Sequence, residues 1–66
     1  MSSVGEEFPK EQARVRKLIE QYKAIGTPGF FGAQMMERAL KRADQAAISG
    51  DVVEILRSFE ELRSFQ

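Results

Sequence analysis

Thr27–Ser49, TPGFFGAQMMERALKRADQAAIS, is the stretch on which the fold turns. Thr27 stands before Pro28, and a residue before proline is pushed toward extended backbone, the conformation an N-cap needs. Pro28 suits the first helical position, where its missing N–H is harmless. Beyond it Ala33, Met36, Leu40, Ala43 and Ala47 recur at gaps of three and four, with Ala39 and Ala46 beside them. That spacing draws one face of an α-helix. Its first half carries Phe30, Phe31, Met35 and Met36, while the second half offers mostly alanine, so another helix can approach closely there. A bulky end and a thin end suit two partner helices that cross at an angle. Gly29 and Gly32 each cost about 1 kcal/mol inside a helix, so the start can slip as far as Phe31.

Both flanks read as elements packed against this one. Upstream, Val15, Leu18, Ile19, Tyr22 and Ile25 form a stripe that Gly26 stops as a left-handed C′ residue. Pro9 looks like a first helical position, so a helix is predicted over about 9–25. The small, acidic residues before it predict a flexible tail over 1–8, in which Phe8 alone can pin the chain. Downstream, Gly50 ends the central helix. Asp51-Val52-Val53-Glu54 has the form of a capping box, Asp51 accepting from the Glu54 N–H and Glu54 reaching back. Val52, Ile55, Leu56, Phe59 and Leu62 then share one face of a helix over about 51–65. The expected fold is all-α: a compact three-helix domain over 9–66 (helices at about 9–25, 28–49 and 51–65) with a long central helix and tight glycine-containing turns.

Sixty-six residues make one small domain. Without cysteine there is no disulfide framework and no thiolate metal site, so the helices must pack well or the chain must associate with itself or a partner. No apolar run approaches the roughly 20 residues that span a bilayer. The opening MSSVGEEFPK has no signal-peptide core, and a cytoplasmic setting fits. Ten basic and ten acidic residues cancel, which argues against nucleic acid and membrane as partners of the whole chain.

The side chains exclude most chemistry. There is no histidine and no cysteine, so the commonest general base and the best nucleophile are missing. Glu6-Glu7 and Glu60-Glu61 are sequence neighbours in polar surroundings, where a raised carboxyl pKa is not expected. Isolated carboxylates without a loop of alternating oxygen ligands make no calcium site. The expectation is a non-enzymatic protein with no cofactor and no metal.

Ala43, then Gly50-Asp51, then Ile55, Phe59 and Leu62 fall where a tetratricopeptide repeat places its small residue, its turn and its second-helix apolar residues. Over Ala39–Leu62 the chain therefore resembles one hairpin of that family. Such repeats need about three copies to bury a continuous core, so the resemblance implies a hairpin geometry and no binding residue. Ala46-x-x-x-Gly50 also has helix-turn-helix spacing. Its second helix, however, would bring Glu54, Glu60 and Glu61 against phosphates, and Gln45, Ser49 and Asp51 stand where that motif wants apolar side chains.

Two surfaces remain as candidates. Adjacent helical residues point about 100° apart, so one core cannot easily bury both members of Phe30-Phe31 and Met35-Met36 unless the two flanking helices cover the central one on two sides. Met36 lies in line with Leu40 and Ala43 and belongs inside. Phe30, Phe31 and Met35 are the expected contact surface for a protein partner or a second copy, and methionine suits such surfaces because it repacks. The alternative is a nucleic-acid-binding or regulatory protein using a basic surface of Arg14, Lys17, Arg38, Lys41 and Arg42. Glu37 and Asp44 interrupt that surface, and neutrality of the chain weighs against it.

Overall fold

A computed structural model describes residues 3–66. Three helices follow one another: α1 (Val4–Ile25), α2 (Thr27–Ser49) and α3 (Val52–Arg63). Helix α2 is the longest, and α1 and α3 pack on it and on each other in a body of 36 × 24 × 16 Å. No strand occurs among the described residues.

The first helix begins earlier than Pro9. Ser3 is its N-cap, with extended backbone and a side-chain oxygen that accepts from the Glu6 N–H at 3.2 Å. The tail expected over 1–8 is therefore helical from Val4 onward, while residues 1 and 2 lie outside the described residues. The reason is Phe8, which is buried and meets the Phe59 ring of α3 at a centroid distance of 6.5 Å. Val4, Phe8, Val15, Leu18, Ile19 and Tyr22 make one stripe, so packing continues more than one turn above the proline. Pro9 thus sits inside α1. Its ring removes a bond to the Gly5 carbonyl, but Gly5 is exposed, so water can satisfy that carbonyl.

The turn into α2 is tighter than its sequence suggests. Gly26, φ +93° and ψ −147°, occupies backbone essentially reserved for glycine and is itself the N-cap residue. Thr27 is already helical and makes no side-chain cap bond, which corrects its expected capping role. Gly29 and Gly32, the two apparent helix breakers, lie against Tyr22 of α1. A Cβ on Gly29 would fall 2.0 Å from the Tyr22 carbonyl oxygen, and one on Gly32 2.8 Å from the Tyr22 ring. Their missing side chains are what let α2 start against the end of α1.

The core holds Phe8, Val15 and Ile19 of α1, Ala33, Met36, Ala39, Leu40 and Ala43 of α2, and Leu62 of α3. Ala47, expected on the α2 stripe, is exposed, and Ala46 is buried in its place. Burial of a side chain such as Val15 or Leu62 contributes about 1.5–3 kcal/mol; both are fully buried. Gly50, left-handed at φ +72°, closes α2. Asp51 then caps α3, accepting from Val53 N at 3.0 Å and Glu54 N at 3.2 Å. The reciprocal half of the capping box is absent: Glu54 pairs with Arg57, and the Asp51 N–H donates to Ser49 Oγ instead.

At its far end α3 is capped by another helix. Arg14 of α1 donates from Nη2 to the Leu62 carbonyl at 2.8 Å and from Nη1 to the Phe65 carbonyl at 2.9 Å. Carbonyls at a helix C-terminus carry negative character, and the forked cation binds the Leu62 carbonyl of the last turn together with the Phe65 carbonyl just past it. This contact fixes how α3 is turned about its axis. The buried and half-buried line is Ile55, Ser58, Phe59, Leu62 and Phe65. Val52 and Leu56, expected on the core face, lie roughly 100° around from that line and are exposed.

Candidate partner-binding surface

Ion pairs show which sides of α2 are occupied. Lys23 and Arg16 of α1 bind Glu37 and Asp44, the second pair reinforced by Gln12 donating to Asp44. On the other flank Arg42 binds Glu61 of α3. Such exposed pairs contribute about 0–1 kcal/mol each, so they mark position more than they hold the fold. Between these flanks the outward side of α2 is uncovered along Gln34, Arg38, Lys41 and Gln45, all exposed.

Phe30 and Phe31 straddle that line, since adjacent residues lie about 100° apart. Phe31 is 72% exposed, Phe30 58% and Met35 48%, whereas Met36 is 2% exposed and belongs to the core. Ile25, the last residue of α1, is also exposed. At the opposite end of α2, Ile48 is 80% exposed and Val52, Val53 and Leu56 are exposed on the start of α3. Sequence spacing does not reveal the exposure of these four residues. Ile48 alone carried a signal, being an isoleucine outside the alanine stripe.

The basic residues are not assembled as free cations. Arg14 serves the α3 carbonyls and Glu11, and Arg42 is held by Glu61. Lys17 falls two residues past buried Val15, which points it to the opposite side of α1. Arg38 and Lys41 do come together, on the walls of two shallow depressions. One, of about 530 Å³, is lined by Arg38, Lys41, Arg42, Gln45, Ser49 and Glu54, with Ala46 at its base. The other, of about 290 Å³, is lined by Gln34, Glu37, Arg38 and Lys41. Neither residue has a carboxylate within ion-pair distance among the described residues.

Compared with protein-family models, with curated proteins and with solved structures, the chain finds no match. Among the described residues no three carboxylates gather as a metal site. No helix among the described residues is long and apolar enough to cross a membrane. What the surface does offer is bulky apolar area on a rigid helix, with two cations beside it.

Proposed function

We propose that this protein is a small non-enzymatic interaction module that binds another polypeptide through the start of α2, with Phe30, Phe31 and Met35 as its contact residues. The observation that carries this reading is the exposure of those three bulky side chains while smaller ones, Ala33, Ala39 and Ala43, fill the interior. Water contact at large apolar side chains is unfavourable, and contiguous patches of them mark contact sites on soluble proteins. Their backbone belongs to the longest helix, pinned at its first turn by the Gly29–Tyr22 contact, so little ordering is needed on binding.

The test is the double variant Phe31→Ser with Met35→Ser. Its thermal unfolding should match the parent, since neither side chain is in the core. Polypeptides captured from a lysate of the source organism by the parent, or self-association seen by sedimentation at several concentrations, should be lost. A folded variant that keeps both properties unchanged would remove the reading.

A further inference from the structure

We infer that the partner is an acidic amphipathic helix that lies along the outward side of α2; this rests on the interaction reading above and names the chemistry of what binds. The side has three zones in chain order: Phe30 and Phe31, then Arg38 and Lys41, then Ile48. From Phe31 to Ile48 the span is about 26 Å at 1.5 Å per residue, the length of a helix of about 18 residues. Charge chooses the occupant. Seven of the ten basic side chains, Lys10, Arg14, Arg16, Lys23, Arg42, Arg57 and Arg63, have a carboxylate within 4.0 Å. Arg38 and Lys41, at the middle of the strip, do not. The depression beside them has Arg38, Lys41 and Arg42 against the single acid Glu54, which Arg57 holds.

A second copy fits this strip poorly. Two α2 helices packed antiparallel with Phe31 on the partner copy's Ile48 would set Arg38 of each against Lys41 of the other. Four cations would then gather near the dyad, with Glu37 of each copy, the carboxylate that lines the same depression, already held by Lys23, and like charges across an interface are disfavoured. Nucleic acid fits no better, since two free cations between apolar ends neutralise few phosphates. A helix with carboxylates at its centre and apolar residues one to two turns to either side satisfies all three zones together, in the manner of groove-bound amphipathic helices.

The test uses two labelled synthetic helical peptides of about 18 residues, both with leucines near each end of one face. One carries glutamates at the centre of that face and the other lysines. Fluorescence anisotropy is read with the parent protein and with Arg38→Glu/Lys41→Glu, whose fold is checked by circular dichroism. The parent should prefer the glutamate peptide by about fivefold or more at low salt and lose that preference at high salt. The double variant should prefer the lysine peptide, an exchange that a merely structural role for Arg38 and Lys41 would not produce. Equal binding of both peptides by both proteins overturns the acidic partner while leaving the apolar contact reading in place. Binding of neither, tighter binding of an oligothymidylate, or a parent dimer that dissociates in the double variant also overturns it.

Discussion

Gly29 touches the backbone of Tyr22: a Cβ at Gly29 would stand 2.0 Å from the Tyr22 carbonyl oxygen and 2.9 Å from its carbon. Neither atom is at the end of a flexible side chain, so α2 would have to move away from α1. Gly29→Ala gains about 1 kcal/mol of helix propensity yet should destabilise the protein by about 1–3 kcal/mol, as overpacking does. Gly32→Ala meets the Tyr22 ring at 2.8 Å, and Tyr22→Leu should relieve it while leaving Gly29→Ala nearly as damaging. Urea denaturation of the single and paired variants checks this. Equal rescue of both by Tyr22→Leu would contradict the backbone contact.

The second prediction concerns Arg14, whose guanidinium closes the α3 C-terminus. Arg14→Met keeps the stem and removes three charge-assisted bonds, two to carbonyls and one to Glu11, and should cost about 1–2 kcal/mol, the lower range because the group is partly solvated. Arg14→Lys should recover less than half of that, since an ammonium lacks the fork. Arg57→Met, at a more exposed pair with Glu54, should cost less than about 0.5 kcal/mol. Hydrogen exchange at the end of α3 should quicken for the Arg14 variants alone.

Much of this architecture is legible in the chain, for local reasons. Gly26 and Gly50 both take positive φ and both stop helices, and the 3.6-residue spacing places Met36, Leu40 and Ala43 inside. The start of α1 is not legible from Pro9, because proline marks a helix start only where packing also begins. Ser3-Val4-Gly5-Glu6 holds the better signal: a serine three residues before a glutamate, with Phe8 completing the stripe. The exposure of Val52 and Leu56 is harder still to read. It depends on the rotation of α3, which the Arg14 contact and the Phe8–Phe59 pair determine from a distance in sequence. The Phe30, Phe31 and Met35 surface is legible only by elimination, from helical angle.

At the other turn, Asp51 accepts from two backbone N–H groups. Asp51→Ala should cost about 0.5–2 kcal/mol and Asp51→Asn little. Glu54→Gln should leave the cap intact, because Glu54 faces Arg57 and the Asp51 N–H is served by Ser49. Chemical denaturation of these three variants decides whether one residue or a reciprocal pair holds the start of α3. A loss for Glu54→Gln equal to that for Asp51→Ala would restore the reciprocal cap.

The four bulky residues at the head of α2 should separate by helical angle. Met36 is buried beside Leu40 and Ala33 in the core, so Met36→Ala should cost about 2–5 kcal/mol, the transfer of its side chain plus the cavity left behind. Phe31 and Met35 lie one turn apart on the exposed side, and their truncation to alanine should change stability by less than about 0.5 kcal/mol. Phe30 sits on the α1 flank of the strip and should behave like Phe31. Thermal unfolding gives the stability class of each variant, and binding of the glutamate-centred peptide gives the second axis. Met36→Ala should lower the unfolding temperature while the folded fraction binds normally, whereas Phe31→Ala should unfold normally and bind weakly. If all four truncations lowered the unfolding temperature alike, Phe30, Phe31 and Met35 would be part of the core, and the contact surface at the start of α2 would have no residues left to make it.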